Sequence, residues 1–454
     1  MGQQDKMNTR QFTRRNFIKT TALALPLVAA GCGSLTKQNA PAGDFVTIRN
    51  RRLERRGQPY CFIGANFHLA AMLGNPDLPG GRARLVRELD QLQAIGVTNL
   101  RVLAGSEDPL AQNGGPGFTG QPGQWNETFL RGLDFVLVEM AKRNMTGVFY
   151  LTNYWEWSGG MAVYVHWATG EPIPDPKSSG AGNPGAAHMT YAARFYGLPH
   201  AQELFRSHVA RVLHRRNTIN GRRYDEDPTI MAWQLSNEPR PGTDVPATDA
   251  NLPAFYTWMD ETARFIKERA PRQLVSTGNE GTMGCLGKTD AYLKAHQSPA
   301  VDYVTLHVWV RNWGWLKEPH LGPQYEEAVA LAVQHIEQHM ALADQLGKPL
   351  VMEEFGIDRD DGRTDPGGRT TMRDDYYAKI FKRVLTSCQA GGALQATNFW
   401  MWSGEASAPA HARPGQTDTT ESRAYVDVNG VLATDRTTLA IIRAHNQQLA
   451  NLAG

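Results

Sequence analysis

Two carboxylic acids stand where an acid and a nucleophile could work as a pair. Glu238 sits in Leu235-Ser236-Asn237-Glu238-Pro239-Arg240, and Glu354 in Val351-Met352-Glu353-Glu354-Phe355-Gly356. Each lies where a short apolar run, Ile230 to Leu235 or Leu350 to Met352, gives way to polar residues. In a barrel of parallel strands such positions are the C-terminal strand ends, where active sites collect. One carboxyl can protonate a departing glycosidic oxygen while the other, about 5 Å away, attacks the anomeric carbon, which is what a retaining glycosidase requires. Two unrelated surface acids among 45 acidic residues are the bland alternative, and the matching context at both positions argues against it. Glu353 competes for the second role. Side chains alternate along a strand, so only one of Glu353 and Glu354 should face the barrel axis.

The elements that must position these acids are legible as a march. From Phe45 onward short β-rich runs alternate with longer amphipathic ones, the pattern of βα units. Strands are expected at Tyr60–Gly64, Asn99–Leu103, Gly147–Thr152, Ile230–Leu235, Leu274–Thr277, Tyr303–His307, Leu350–Glu353 and Gln395–Trp400. Helices are expected at Arg82–Ile95, Thr128–Arg143, Gln202–Asn217, Pro253–Arg269, Tyr325–Leu346 and Asp374–Gln389. In the first of these, Leu85, Leu89, Leu92 and Ile95 recur at spacings of three or four, and Gly96 ends the run. The count fits a single-domain (β/α)8 TIM barrel with enlarged βα loops, with a doubly wound open sheet as the alternative. Phe45 to Arg56 reads as a hairpin closing the bottom, and Thr437 to Ala450 as a final helix. Gly159–Gly197 and Trp402–Asp427, rich in Gly, Pro, Ser and Ala, read as long loops walling a cleft.

The expected strand ends carry Asn66, Arg101, Asn153, Asn237 with Glu238, Glu280, His307 with Trp309, Glu354, and Trp400 with Trp402. Eight of the eleven tryptophans fall in three clusters, 155/157/167, 309/313/315 and 400/402. A pyranose offers an apolar C–H face to aromatic rings and a hydroxyl edge to Asn, Glu, His and Arg. Trp400 is the favoured platform under the sugar. Arg101 is charged at the end of an otherwise buried strand, where it would keep a carboxylate ionised.

Taken in order, these runs resemble glycoside hydrolase family 5, within it the bacterial β-mannan-degrading branch. The carriers are Asn99-Leu100-Arg101-Val102-Leu103; Asn153-Tyr154-Trp155-Glu156-Trp157-Ser158-Gly159-Gly160-Met161 with Tyr164 and Trp167; Asn237-Glu238-Pro239-Arg240; His307-Val308-Trp309 with Asn312-Trp313-Gly314-Trp315; Glu354-Phe355-Gly356; and Asn398-Phe399-Trp400. They run from about Phe45 to about Trp402. The resemblance implies Glu238 as acid/base and Glu354 as nucleophile, because the family's nucleophile directly precedes an aromatic-Gly pair. Glu353 is then a structural carboxylate. It also implies a substrate-binding set of Arg101, Asn237, His307, Trp309, Trp400, Trp155 and Asn66, with Asn237 donating to the sugar 2-hydroxyl. The family usually has Tyr where Trp309 stands. An indole N–H donates but cannot accept, which suits a site position and not proton handling. The implied reaction is cleavage of β-1,4-mannosidic bonds, with endo action on mannan favoured. Exo-acting β-mannosidase, action on β-glucan, and a mannan-binding surface lipoprotein that cuts nothing are the alternatives. The Gly159–Gly197 insertion, if it blocks one end of the cleft, favours exo action.

Composition excludes other classes. The chain is 41% apolar and 20% charged over 454 residues, ordinary for a protein with a large core. Residues 1–31 carry five Lys/Arg against one Asp, so their removal takes the formal charge from +2 to −2. Such a balance shows no footprint for nucleic acid and suits an uncharged partner. There is no His-Glu-x-x-His, phosphate loop or Gly-x-Ser-x-Gly, and neither metal nor cofactor is expected. Thr13-Arg14-Arg15-Asn16-Phe17-Ile18-Lys19 with the apolar Ala22–Ala30 resembles a twin-arginine export signal. Ala29-Ala30-Gly31-Cys32 resembles a lipoprotein cleavage site that would leave Cys32 lipidated, with simple cleavage near Ala30 as the alternative. The expected divisions are thus signal 1–32, tether 33–44 and catalytic domain 45–454, in a periplasmic or surface-anchored protein. Cys61, Cys285 and Cys388 are far apart and read as small buried apolar residues, since a protein folded before export cannot depend on disulfides.

Overall fold

The computed structural model describes residues 44–107, 117–177, 179–180, 183–363, 365–406 and 427–452. The readings of the export segment, Cys32 and the tether up to residue 43 lie outside these, as does most of the 402–427 loop. Eight buried strands form one parallel sheet: β1 Phe62–Asn66, β2 Asn99–Leu103, β3 Thr146–Tyr150, β4 Ile230–Gln234, β5 Leu274–Ser276, β6 Val304–Val308, β7 Leu350–Phe355 and β8 Leu394–Phe399. Their order is β5-β4-β3-β2-β1-β8-β7-β6, each beside its sequence neighbour. The seam between β5 and β6 is bridged by Asp302 N–H to Val275 O at 2.8 Å and His307 N–H to Glu280 O at 3.1 Å. The expected (β/α)8 barrel is therefore present and the open sheet is not.

The interior is layered by chemistry. At the floor, Val148, Met231, Val351 and Ala396 meet Val46 and Leu53 of the N-terminal hairpin, which plugs the barrel as expected. That hairpin pairs Val46–Arg49 with Arg52–Arg55 through Asn50-Arg51, both at positive φ (50° and 62°), the backbone that two-residue hairpin turns demand. Above the apolar floor the interior turns polar, with Asn398 Nδ2 donating to Asn99 Oδ1 at 3.1 Å. The functional groups stand on this polar layer.

Four expectations are corrected. The first strand starts at Phe62, not Tyr60, because Gln58–Pro59 adds a third strand to the hairpin and Tyr60 turns the chain into the barrel. The helix expected from Pro253 begins at Val245, where the Asp244 side chain accepts the Ala247 N–H at 2.8 Å; Pro253 lies inside it. Gly159–Gly197 is not an open loop. Met161–Thr169 and Ala186–Ala193 are helices, and Tyr164, on the first, packs with Phe195 and Phe205. Cys61 and Cys388 are not separate thiols: they pair as a disulfide across 327 residues of sequence, since barrel closure brings the start of β1 beside the Thr371–Ala390 helix. Cys285 is buried as expected.

Candidate active site

Glu238 follows β4 by four residues, and its backbone is unusual. Its φ is +44°, a left-handed conformation that a residue with a side chain rarely takes, and such strain concentrates at functional positions. Neighbouring strands hold it there. Glu238 N–H donates to Gly278 O, and Asn237 N–H to Thr152 O, both at 2.9 Å. Gly278 must be glycine: at φ +75° a Cβ would lie 1.8 Å from Ser236 O.

Glu354 lies within β7 and Glu353 beside it, and here the alternation argument fails. The pairing of β6 with β7 shifts register, Leu306 facing Met352 but His307 facing Glu354. The shift lets both carboxylates turn inward toward Arg101: Glu354 accepts from its Nη1, and Glu353 lies 3.9 Å from its Nε. Depth separates their roles. Glu354 lines the cleft, whereas Glu353 is sealed below it, accepting from Tyr303 Oη at 3.0 Å and from Gln234 Nε2.

Carboxylate oxygens of Glu238 and Glu354 and a ring nitrogen of His307 all lie within 4.8 Å of one another. That separation suits direct attack on an anomeric carbon and is too short for the intervening water of an inverting site. Among the described residues this trio also has a spacing a metal ion could accept, and each of its carboxylates already accepts from a protein donor, Glu354 from Arg101 and Glu238 from Trp155.

Arg101 is wholly buried and uses its whole fork. It donates to Gln234 Oε1 at 2.9 and 2.6 Å, Asn237 Oδ1 at 2.7 Å and Asn66 Oδ1 at 3.0 Å, besides Glu354. Asn66 in turn donates to Glu353 O at 2.8 Å. Arg101 and Asn66 thus sit behind the cleft wall and position the acids; neither lines the cleft, so their reading as sugar contacts is revised. His307 is also fully buried, with Nδ1 2.6 Å from Glu238 Oε1 and 3.4 Å from Glu354 Oε2. Asn237 does line the cleft, though Nδ2 already donates one hydrogen to Asn153 Oδ1 at 3.1 Å.

Electrostatics divide the pair. Burial works to raise the Glu238 carboxyl, but the His307 hydrogen bond, the Arg240 charge and the Trp155 indole N–H (2.5 Å) outweigh it and hold it below the usual carboxylate range. Trp309 adds an N–H at 3.2 Å. Burial pushes the Glu354 carboxyl well up, Arg101 opposes, and the nearby Glu238 charge adds to the rise. The two directions are opposite, down for Glu238 and up for Glu354. What both directions support is that two carboxylates this close share one proton.

The cleft, about 470 Å³, is walled by Trp155, Trp157, Trp309, Trp313 and Trp400. Trp400 packs edge-on against Trp157 and Trp309, with ring centroids 6.2 and 5.9 Å away, and stacks on His68. Trp167, Trp315 and Trp402 do not reach the cleft; the Trp402 indole donates to Glu88 Oε2 at 3.1 Å. Trp157, Trp313 and Glu280, already noted among the tryptophan clusters and strand ends, line the cleft; Glu156, Arg240 and Asn312, from the family-like runs, line it without having been expected as site residues. Asp427, at the end of the loop expected to wall the cleft, lines it, and so does Asn429 just beyond, which carried no local signal.

A family model described as GH family 5 beta-mannosidase-like matches residues 43–453. The chain belongs to glycoside hydrolase family 5. It is thus a glycoside hydrolase, and relatives agree. A solved family 5 mannosidase from Rhizomucor miehei superposes with a TM-score of 0.80 at 34% identity, covering 91% of this chain and 99% of that one. Mannan endo-1,4-beta-mannosidase 1 of Oryza sativa subsp. japonica is 28% identical over 374 residues, 79% of this chain and 78% of its own. The endo-beta-1,4-mannanase of Thermotoga petrophila, at 21% identity and a TM-score of 0.61 over 86% of this chain and 77% of its own, shares the fold. In this family 5 enzyme the Glu238–Glu354 pair stands at the mouth of the barrel, walled by tryptophan.

Proposed function

We propose that the enzyme hydrolyses β-1,4-mannosidic bonds inside mannan and manno-oligosaccharides by double displacement. The observation that carries this is the approach of the Glu238 and Glu354 oxygens to within 4.8 Å in a tryptophan-walled cleft. Glu354 attacks the anomeric carbon while Glu238 protonates the leaving oxygen. Glu238 then takes a proton from the water that releases the sugar from Glu354. The plant relatives named as endo-mannosidases support the polymer as substrate. A second reading, removal of terminal mannose, draws on the β-mannosidase-like family model and the Rhizomucor mannosidase. A time course on linear mannan and mannohexaose separates them. Short oligomers early mean internal cutting, mannose alone means terminal cutting, and cleavage of neither overturns the proposal. The first product should keep the β-anomeric configuration by NMR.

The twin-arginine pattern also supports a bacterial branch of the family, export by that route and a lipid on Cys32. Mass spectrometry of the mature N-terminus tests the last: an unmodified residue 32 would refute it.

A further inference from the structure

We propose that Glu107, which touches no substrate, is a positioning residue for the acid/base step, gripping both ends of the loop that carries Trp155 and Trp157. The inference rests on the catalytic reading above. Glu107 follows β2 and is completely buried. On the near side of the loop its Oε1 accepts from Thr152 Oγ1 at 3.1 Å. On the far side its Oε2 accepts the Gly160 N–H at 2.7 Å, and its own N–H donates to Ser158 O at 2.9 Å. Between the two grips lie Trp155, Glu156 and Trp157, all on the cleft wall, and Trp155 delivers its N–H to Glu238 Oε2 at 2.5 Å.

The fit is close on both sides. Gly159 has φ +90°, and a Cβ there would lie 1.9 Å from Glu107 O, so the chain passes the glutamate with no room for a side chain. Gly160 caps the Met161–Thr169 helix, so the carboxylate also meets the positive end of a helix. The bonded partners are neutral N–H and O–H dipoles, and burial pushes the acid up to about 7. A buried carboxylate that no cation among the described residues bonds is costly to a scaffold that needs only shape. What it supplies here is a short tie between β2 and a loop that ends on the catalytic acid.

General-acid help matters for a sugar leaving group and little for a phenol that leaves as a stable anion. The test compares kcat/KM on mannohexaose with kcat/KM on an aryl β-mannobioside bearing a dinitrophenolate leaving group. Glu107→Ala should lower the first on the order of tenfold, a fraction of what acid catalysis contributes, and leave the second within about twofold. Glu107→Gln, which keeps an acceptor for Gly160 and a partner for Thr152, should restore most of the loss. Thr152→Val removes one grip at equal volume and should show the same selective loss even if Glu107→Ala fails to fold. Equal losses on both substrates, or unchanged cleavage of mannohexaose by the folded variants, would overturn the proposal. Failure of the wild-type enzyme to cleave mannohexaose would instead overturn the functional reading, so the two failures are distinguishable.

Discussion

Replacing Arg101 by Met should convert the enzyme into one that works only at elevated pH. The guanidinium is fully buried and is the cation bonded to Glu354; Glu353 lies within 3.9 Å of the same group. Removing one partner of a buried ion pair costs about 3–5 kcal/mol, and a carboxylate meets that cost by keeping its proton. At about 1.4 kcal/mol per tenfold change, that cost pushes the Glu354 carboxyl further up and lowers its ionised fraction on the order of 10²- to 10³-fold. Only the ionised form attacks, and its fraction falls tenfold per unit below the pKa. At a fixed pH on the acid side kcat/KM for a dinitrophenyl β-mannobioside, whose departure needs no protonated Glu238, should therefore drop on the order of 10²- to 10³-fold. The sign is specific: raising the nucleophile's pKa removes activity at low pH and returns it as pH climbs. Arg101→Met also strands acceptors on Asn66, Gln234 and Asn237, at about 1–3 kcal/mol each, so folding must be verified by circular dichroism first. Arg101→Lys keeps the charge and should leave the acid limb near its wild-type position. A folded Arg101→Met enzyme whose loss is the same at every pH would refute this account and reduce Arg101 to a packing residue.

Other substitutions probe the neighbours. Glu353→Gln keeps the hydrogen-bonding shape toward Tyr303 and Gln234 and should retain activity within about tenfold, whereas Glu354→Gln should lose 10³-fold or more (~4 kcal/mol of barrier). The opposite ranking in steady-state assays would exchange their roles. Burial holds His68, His208 and His339 down at about 4, and His296 and His335 at about 3, against about 6.5 unfolded. Between about pH 6.5 and 4 the unfolded chain binds protons that the folded one refuses, so stability should fall steadily as pH drops through that window. A thermal midpoint independent of pH over this range would contradict that burial. Reduction of Cys61–Cys388 should lower the midpoint through loss of about 2–4 kcal/mol without changing kcat, because the bridge starts at the barrel floor. A midpoint unmoved by reductant would mean the bridge adds no stability.

The barrel was readable because each helix of its outer ring is wet on one face. Leu85, Leu89 and Leu92 are buried while Arg87 and Asp90 are not, and that stripe is what periodicity detects. The Met161–Thr169 helix escaped because residues 161–165 are all buried, so no polar face marked its period. The two glutamates were visible because a strand end changes composition abruptly. The inward turn of both Glu353 and Glu354 was not, since a register shift depends on the partner strand and leaves no trace in the local pattern. Cys61 and Cys388 illustrate the same limit: only closure of the barrel makes residues 327 apart into neighbours. Asn429 reaches the cleft just past the loop whose composition marked it, with neither a strand nor an aromatic cluster of its own.

On the proposed mechanism, the donors around Glu238 bear on which half of the reaction the protein assists. Trp155 and Trp309 both present N–H groups suited to its carboxylate form, and His307 Nδ1 lies within hydrogen-bond distance of it. That form is the one required in the second half, when Glu238 must take a proton from water and Glu354, esterified, no longer carries charge. In the first half the same donors orient the carboxyl but do not themselves favour its protonation. What favours the acid form then is repulsion between two carboxylates within 4.8 Å, one of them fixed on Arg101. A bound glycoside adds to this, because its oxygen accepts from a protonated Glu238 while positive charge grows at the carbon facing Glu354. His307 Nδ1, at 2.6 Å from one carboxylate and 3.4 Å from the other, lies where it can follow the charge as it shifts between them. A tyrosine at position 309 could accept as well as donate; tryptophan can only donate, so this chain commits that contact to the carboxylate state. The site is thereby built around the release step, and the attack step depends on substrate to redistribute the single proton the pair holds.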